Sequence, residues 1–210
     1  SVTSETVGGV GDPHAFGPDK HFLYDVGRTP NEYISLITTP SFFVNAYVTA
    51  KPLVTKIDET DEKTYFHEFY FQFGTNNSFT TKIGFGEEID NFLINHTPIN
   101  KVAPNIYHFG NGQGTIFFHP EIKAFHFIWC QIYRIYVERR FEPYPHLNIK
   151  LKIEHHQLNN FKIEGLIGRL FDPKIISEKN HFGKIQNKDE GYVLKGSFDK
   201  NFQHNLFKGE

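Results

Sequence analysis

The sequence of 210 residues has a single cysteine, Cys130, and no methionine. One cysteine excludes an internal disulfide framework and a cysteine-based zinc cluster. Long apolar runs are also missing: none approaches the roughly 18 residues that a membrane-spanning helix needs, so we expect no membrane span. Nor does one charge dominate, because 22 Lys and Arg face 24 Asp and Glu, and the basic residues are scattered. We therefore expect no nucleic acid as a partner, since nucleic-acid binding requires a basic patch.

Helical periodicity is the next feature that the sequence lacks. No segment repeats apolar residues every ~3.6 positions over the length of a helix, and no internal repeat of about 20 to 50 residues occurs. Residues 146–154 instead alternate, with Leu147, Ile149, Leu151 and Ile153 between polar residues, which is the pattern of a strand with one buried face. We predict an all-β fold, an antiparallel β-sandwich of many short strands with little helix. The length and hydrophobic content favour one domain.

Other strands are predicted from similar patterns between turns rich in Gly, Pro and Asn. The longest covers residues 65–73 and places Tyr65, Phe69, Phe71 and Phe73 on one face. A polar turn after it leads to a hairpin partner. The remaining predicted strands cover residues 21–26, 32–38, 42–49, 52–58, 79–85 and 192–198, with residues 89–94, 102–109 and 115–118 left ambiguous.

Three further stretches complete the expected fold. Residues 125–137 are apolar on both faces, which predicts one central strand covered on both sides, with Cys130 in its middle. After residues 146–154 we expect a polar turn and a second strand that is broken by the tight corner Gly165-Leu166-Ile167-Gly168. Residues 1–10 are small and polar and predict a flexible N-terminal lead-in, so that residues 11–210 form the single domain.

Motifs near the two ends of this domain resemble a known family. The head Gly11-Asp12-Pro13-His14, followed by Asp19, and the corner Gly165-Leu166-Ile167-Gly168 occur in the same order as in the von Willebrand factor type D domain. The strands containing Val44-Asn45-Ala46 and His146-Leu147-Asn148-Ile149 are similar to those of its cysteine-poor relatives, the plant root-cap-like proteins and the C-terminal module of inter-α-trypsin inhibitor heavy chains. The resemblance covers about residues 8–50 and 143–175.

The resemblance implies an extracellular, non-enzymatic β-sandwich that works in assembly, matrix or polymer formation. Many relatives hold a structural calcium where the Asp corresponding to Asp19 meets a loop rich in Asn and Asp after the final glycine. The loop here is Arg169-Leu170-Phe171-Asp172, which lacks most of those oxygen ligands, so we expect no bound metal. Asp12-Pro13 resembles the bond at which some family members cleave their own chain. The alternative is an ordinary turn in which Pro13 fixes the backbone.

Secretion is a separate expectation that the residues support. The chain begins at Ser1 and has no methionine, which indicates a processed mature form or a fragment from which a signal peptide has been removed. Two Asn-x-Ser/Thr triplets, at Asn76 and Asn95, suit N-glycosylation, and Pro98 just after the second makes it the weaker acceptor. We therefore expect an extracellular glycoprotein.

Motifs for metal binding and catalysis are incomplete. The 12 histidines include His14 and His21 on either side of Asp19 and the pair His155-His156, but no His-x-His or His-Glu-x-x-His spacing that would mark a zinc site. There is no Gly-x-Ser-x-Gly elbow, and the glycine-rich residues 109–114 precede a strand, which favours a hairpin turn over a phosphate loop. We expect no enzyme and no cofactor. A metal-dependent hydrolase built on the histidines is the trailing alternative.

Aromatic residues are the surplus in this sequence. The chain has 23 Phe and 10 Tyr, more than one sandwich core needs, so either some rings reach the surface or a compositional bias fills the core with them. Exposed rings favour contacts with protein partners or sugars. Our first hypothesis is a secreted structural or assembly module that binds protein partners, with self-association among them, through aromatic and edge-strand surfaces. The alternative is a ligand-binding module for a glycan or an apolar small molecule.

Overall fold

The computed structural model describes residues 4–10, 14–17, 22–25, 31–50, 64–83, 92–98, 106–119, 124–141, 145–154, 162–171 and 192–201. These residues form two antiparallel β-sheets that pack face to face around one core. The predicted all-β sandwich with little helix is therefore confirmed.

The strands are numbered in chain order. Sheet A contains β1 (Ser4–Val10), β2 (His14–Phe16), β3 (Phe22–Asp25), β10 (Ile106–Phe109), β11 (Gly114–His119), β12 (Ala124–Trp129), β13 (Tyr133–Arg140) and β14 (His146–Glu154). Sheet B contains β4 (Glu32–Thr38), β5 (Phe42–Ala50), β6 (Thr64–Phe73), β7 (Asn77–Lys82), β8 (Phe92–Ile94), β9 (Thr97–Pro98) and β15 (Val193–Leu194). The spatial order is β10-β11-β12-β13-β14-β1-β2-β3 in sheet A and β15-β4-β5-β6-β7-β8-β9 in sheet B.

The core between the sheets is mainly aromatic. β6 contributes Phe66, Phe69, Phe71 and Phe73, which have no exposed surface. The centroid of the Phe73 ring lies 5.1 Å from the ring centroids of both Phe127 and Trp129 on β12. Sheet A supplies the facing side chains Phe109, Ile116, Phe125, Phe127, Trp129, Ile135 and Val137. Much of the surplus of phenylalanine is therefore used inside the sandwich.

The alternating strand, β14, lies inside sheet A with β13 on one side and β1 on the other. Leu147, Ile149, Leu151 and Ile153 are fully buried, whereas Lys150 on the opposite face is exposed. Burying four aliphatic side chains on one strand contributes several kcal/mol of hydrophobic stabilisation, at roughly 1.5 to 3 kcal/mol each. The predicted buried face is confirmed, whereas the outer face is only partly exposed, because His146 and Asn148 are buried as well.

The N-terminal residues correct a prediction. Ser4–Val10 is a strand between β14 and β2, so the interpretation of residues 1–10 as a flexible lead-in is wrong over this range. Val7 is fully buried, and a Cβ added to Gly9 would lie 2.9 Å from the ring of Phe66 in the opposite sheet. Small residues are needed here because the sheets approach closely. Composition alone does not distinguish such a packed strand from a flexible segment.

Residues 125–137 form a hairpin, so the prediction of one central strand is wrong. β12 and β13 pair with each other, and Cys130 and Gln131 in the turn between them have φ angles of 52° and 59°. The amide of Ile132 donates to the carbonyl of Trp129 at 3.2 Å and closes this turn. Positive φ at both central residues is typical of a type I′ turn, whose twist matches the paired strands. Cys130 therefore lies in a turn and not in the middle of a strand.

A β-bulge in β6 changes which of its aromatic residues face the core. The register with β5 shifts by one residue at His67. As a result, Phe66 belongs to the core cluster, while Tyr65 is buried outside it and contacts the ring of His146 at 5.4 Å between centroids. The predicted core face is confirmed for the three later phenylalanines of this strand and wrong for Tyr65.

The second strand predicted after β14 is not found among the described residues. Glu164 makes an isolated bridge with Thr38, at the end of β4, and the chain continues into a 3₁₀ turn at Gly168–Phe171. The segment therefore contacts sheet B and does not form a hairpin with β14. Residues 155–161, which include the predicted polar turn, lie outside the described residues.

The glycine corner docks on a bulge of β4. The register between β4 and β5 shifts at Leu36, and the amide of Ile167 donates to the carbonyl of Leu36 at 2.9 Å. Gly165 has a φ of +100°, and a Cβ there would lie 2.4 Å from the same carbonyl oxygen. Glycine is the residue that combines this backbone conformation with so close an approach. The tight corner predicted from the glycines is thus present, with β4 as its support.

The remaining predicted strands agree with β3, β4, β5 and β7. The last strand, predicted over residues 192–198, covers only Val193–Leu194. The ambiguous segments contain β8, β10 and β11. Gly110 and Gly112, with φ of 63° and 83°, lie in the turn between β10 and β11, which confirms the interpretation of residues 109–114 as a hairpin turn. The candidate strand at residues 52–58 lies outside the described residues.

Candidate interaction surface

A line of side chains crosses the outer face of sheet A at right angles to the strands. The strand registers place Ile106, Phe117, His126, Tyr136 and Lys150 next to one another, one from each of β10 to β14. Their neighbours along β11 to β14 point into the core, so these five point away from it. We call these five residues the outer row.

Three rings of the outer row are stacked on one another. The centroids of Phe117 and His126 are 4.7 Å apart with 16° between the ring planes, and those of His126 and Tyr136 are 5.2 Å apart with 29°. Stacked cross-strand pairs of this kind stabilise a sheet. Because the stack runs along the surface of the sheet, the ring faces cover one another and the ring edges point to solvent.

His126 also forms a hydrogen bond on this face. Its Nδ1 lies 3.0 Å from Nε2 of His119, so one ring donates and the other accepts. The ring centroids are 5.1 Å apart and the planes differ by 12°, so the two rings are nearly parallel. Burial lowers the pKa of His126, and the charges of His119 and Arg134 lower it further. The hydrogen bond requires at least one neutral ring, and the lowered pKa favours that state.

Charged residues flank the outer row on β13 and β14. Lys152 Nζ and Arg134 Nε each lie 3.1 Å from the carboxylate of Glu154. The hydrogen bond from Lys152, assisted by Arg134, lowers the pKa of Glu154. A second arginine–glutamate pair lies on β13. Lys150 is exposed and has no ion-pair partner among the described residues, so its charge is available to a bound molecule.

The outer row ends at the edge of sheet A. β10 is the last strand on this side in the part of the chain that the structure describes. Ile106 is 44% exposed and is the one large hydrophobic side chain classed as exposed among the described residues. An edge strand presents backbone amides and carbonyls that can pair with another chain. An exposed apolar side chain at such an edge is therefore a candidate contact for a partner.

A second aromatic cluster lies on the outer face of sheet B. The ring of Tyr33 lies 5.0 Å from that of Tyr47 and 6.0 Å from that of Tyr70, with 49° and 60° between the planes. The Tyr70 hydroxyl donates to Glu68, whose carboxylate pairs with Lys82 at 3.4 Å. Burial and this hydrogen bond raise the pKa of Tyr70, so its hydroxyl stays protonated. We call these five residues the tyrosine patch.

The last described residues cover part of the outer face of sheet B. Asn45 Nδ2 donates to the carbonyl of Ser197 at 2.7 Å. The ring of Phe198 packs edge-on against Phe43 and Tyr70, at 6.3 and 5.4 Å between centroids. Asn45 is the centre of one motif that carries the family resemblance, and its buried amide ties this segment to the sheet.

The two predicted glycosylation sites lie in exposed turns of sheet B. Asn76 is in the turn between β6 and β7, and Asn95 is in the turn between β8 and β9. The side-chain Oδ1 of Asn95 accepts a hydrogen bond from the amide of Ser78 at 2.8 Å. This contact holds the Asn95 side chain against β7, which adds to the effect of Pro98 in making it the poorer acceptor.

The residues predicted for metal binding and self-cleavage form a third set of candidates. Asp12, Pro13, Asp19, His21, His155 and His156 lie outside the described residues. The hypotheses of calcium, zinc and self-cleavage therefore stay predictions. Among the described residues, no three side chains of His, Cys, Asp or Glu are grouped as a metal ion would need. Burial raises the pKa of Cys130, which disfavours the nucleophilic thiolate.

The outer row is the surface that sequence reasoning misses. In the structure alternate residues are buried, so that Phe117, His126 and Tyr136 face away from the core, but the sequence of these strands is apolar on both faces and does not mark them. Their alignment appears only when the strands are paired, and a single strand over residues 125–137 would separate His126 and Tyr136 instead of placing them opposite each other. The turn that separates the two strands lies at Cys130 and Gln131, which both have positive φ. It contains no Gly, Pro, Asn or Asp, so the sequence gives no sign of a turn there.

No protein-family model and no curated protein matches this sequence. In the part of the chain that the structure describes, no helix is both long and apolar enough to span a membrane. The chemistry of the two outer faces is therefore the basis for assigning a function.

Proposed function

We propose that this protein is a secreted, non-enzymatic structural module of an extracellular matrix, coat or polymer, and that it binds protein partners through the outer row and the edge strand β10. The observation that supports this most directly is the position of Ile106. This exposed apolar side chain lies on a sheet edge and continues into a line of three half-buried aromatic rings.

The composition of the outer row suits a protein interface. Interface centres are enriched in aromatic residues, while charged residues concentrate at the rim. Phe117, His126 and Tyr136 occupy the middle of the row, and the charged side chains of β13 and β14 lie on both sides of it. Stacking already orders these rings in the free protein, so that little side-chain entropy is lost when a partner binds.

The resemblance to cysteine-poor type D-like domains supports the same function. Two motifs that carry it meet at β4: Ser35 pairs with Asn45, and the Ser35 carbonyl accepts a hydrogen bond from the Leu166 amide at 2.8 Å. The segments around Asn45 and Leu166 are far apart in the sequence, yet both contact the same residue of β4. Residues that belong to one shared structural motif would meet in this way. Extracellular location and N-glycosylation belong to this proposal.

Lysine footprinting of the native material tests the proposal. The protein is acetylated in extracts of its natural source and, separately, as a purified monomer, and labelling is quantified by mass spectrometry. We expect Lys150 and Lys152, on the face of the outer row, to be labelled several times more slowly in the native material. Lys195 and Lys200, two exposed lysines in the C-terminal segment, are the matched controls and should be labelled equally in both samples.

Equal labelling of all four lysines in native and purified protein would contradict the proposal, because a bound partner must cover the face it uses. A second comparison addresses copies of the same chain. If the partner includes a second copy, Ile106→Asp should reduce the assembly mass in sedimentation, whereas Gln113→Asp in an exposed turn should leave it unchanged.

A second candidate function is glycan binding by the tyrosine patch. The rings of Tyr33 and Tyr47 are tilted by 49°, so they do not cover each other's faces fully, and the Glu68–Lys82 pair lies beside them. Aromatic faces next to polar groups suit a sugar, whereas the outer row offers only ring edges. A glycan array probed with the protein and with Tyr47→Ala tests this: binding that the substitution does not weaken would exclude the patch.

A further inference from the structure

From the electrostatics of the outer row we infer that the partner segment it binds is acidic, an extended peptide of about seven residues with an apolar side chain at one end and a carboxylate at the other. The inference rests on the proposed function and specifies the chemistry of the partner. It follows from the order of the side chains along the row, which changes from apolar at Ile106 to cationic at Lys150.

Ring stacking gives the middle of the row a positive outward potential. An aromatic ring carries negative partial charge on its faces and positive partial charge on its edge. In the stack of Phe117, His126 and Tyr136 the faces are turned to one another, so the edges meet a bound molecule. Carboxylate and carbonyl oxygens are favoured against such edges, whereas a cation is not.

The formal charges of the face act in the same direction. Arg134 and Lys152 share the single carboxylate of Glu154, and Lys150 has no ion-pair partner among the described residues. The cations therefore outnumber the carboxylates around the inner end of the row. A partner carboxylate placed next to Lys150 would meet an exposed ammonium group whose charge no described carboxylate neutralises.

The spacing of the row sets the length of the segment. Ile106 and Lys150 are separated by four steps between neighbouring strands, which at about 4.8 Å each is about 19 Å. An extended peptide covers that distance in about six steps from one residue to the next, at about 3.3 Å per step. A Leu, Ile or Phe against Ile106 and an Asp or Glu against Lys150 would thus be about six positions apart.

Protonation of His126 should strengthen this interaction. The charged groups that face the pair of His119 and His126 are Arg134 and Glu138 on β13 and Lys150 on β14. Burial and its neighbours lower the pKa of His126, so the ring is neutral at neutral pH and gains a proton as the pH falls. An acidic ligand binds the protonated form better and therefore binds more tightly at lower pH, as long as its carboxylates stay ionised.

Selection from a display library of random octapeptides tests the inference. The folded, full-length protein is immobilised at low salt, and selections are run in parallel on the wild type, on Lys150→Glu and on the matched control Lys195→Glu, another exposed lysine. We expect wild type and control to enrich peptides with Asp or Glu about six positions from an apolar residue.

Binding measurements with a selected peptide test the charge contact directly. Replacing its acidic residue by the corresponding amide should weaken binding about tenfold, and so should Lys150→Glu on the protein. Binding of the selected peptide should tighten from pH 7.5 to 5.5 in the wild type and not in His126→Gln.

Enrichment of basic or uncharged peptides, no enrichment, or equal binding by Lys150→Glu would overturn the inference. Retention on heparin or on a single-stranded oligonucleotide that depends on Lys150, without acidic peptides being enriched, would assign the face to another polyanion and also overturn it. Protection of Lys150 in the footprint does not depend on the partner's charge. The proposed function therefore stands if the footprint is protected and the selected peptides are not acidic, and both fail if Lys150 is unprotected and no peptide binds.

Discussion

Gly165 is the residue at which the glycine corner meets the bulge of β4, and replacing it should be costly. A Cβ there would lie 2.4 Å from the carbonyl oxygen of Leu36, and a φ of +100° is strained for other residues. We expect Gly165→Ala to lower the free energy of unfolding by about 2 to 4 kcal/mol in urea denaturation. Gly196→Ala is the control, since a Cβ there meets no atom within 4 Å. Equal losses in the two variants would show that the corner does not dock as described.

His126 and His67 couple the stability of the fold to pH. Burial lowers the pKa of both below the ordinary 6.5. Below pH 6.5 the unfolded chain takes up these protons, whereas the folded chain does so only at the lowered pKa values. The free energy of unfolding should therefore be greatest above this window and decrease as the pH falls through it. Denaturation at a series of pH values should give a flatter decrease for His126→Gln, with His108→Gln as the control. An unchanged slope in His126→Gln would contradict the assignment.

Single residues were predictable where their local surroundings decide their place. The alternation in β14 identifies its buried aliphatic residues, and the polar sequence around Asn76 identifies an exposed turn. Tyr65 and Phe66 were not predictable, because the bulge at His67 reverses the faces of all residues before it. A bulge depends on pairing with the neighbouring strand, which no local pattern records.

At the scale of elements, β14 offers a direct test of the sandwich. Leu151 is fully buried, and a lysine there would place an unpaired charge in the core. We expect Leu151→Lys to cost about 3 kcal/mol or more. Lys150→Ala, one position earlier on the exposed face, should change the free energy of unfolding by less than about 0.5 kcal/mol. A loss below about 1 kcal/mol for Leu151→Lys would be incompatible with a buried face.

The turn between β12 and β13 should be improved by glycine. Gln131 is exposed and has a φ of 59°, a conformation that costs a side-chain-bearing residue about 1 to 2 kcal/mol. After the added flexibility of the unfolded chain is subtracted, we expect Gln131→Gly to stabilise the fold by about 0.5 to 1 kcal/mol in thermal denaturation. Gln113→Gly, in a turn position without positive φ, should not stabilise. Destabilisation by Gln131→Gly would argue against the positive-φ turn.

This turn also shows why elements were only partly predictable. Alternation of apolar and polar residues identifies which segments are strands. The strands β4, β5, β6 and β14 are found close to their predicted bounds. Residues 125–137 contain none of the residues that usually accept positive φ, so their pattern continues through the turn without interruption. The hairpin is imposed by pairing with β11 and β14, a tertiary effect that overrides the local preference.

For the whole molecule, glycosylation tests the proposed extracellular location. We expect protein from its natural source to carry a glycan at Asn76 and to carry less or none at Asn95, whose side chain is bonded to Ser78 and whose triplet precedes Pro98. Peptide mapping before and after enzymatic deglycosylation measures both sites. An unmodified Asn76 would count against secretion, and preferential modification of Asn95 would contradict the role given to the Ser78 contact.

The sandwich itself was predictable from the sequence, whereas the candidate surface was not. Alternation and the lack of helical periodicity are properties of single segments, and they determine fold class. The outer row joins five strands and depends on every register between Ile106 and Lys150. A one-residue slip in any of these pairings would turn the side chains to the other face, so the surface exists only at the level of the complete sheet.

The position of β1 inside sheet A has a consequence for how the chain folds. Most neighbouring strands in the two sheets follow each other in the sequence, which allows three local meanders to form early: β1 to β3, β4 to β9 and β10 to β14. Two pairings close the sheets across long loops, β15 with β4 and β1 with β14, where Ser4 faces Glu154. Closing loops of that length is slow because chain entropy must be lost before the contact is gained. During synthesis β1 therefore leaves the ribosome long before its partner exists. The backbone groups of β1 that later pair with β14 must therefore be shielded from pairing with other chains until β14 has been made.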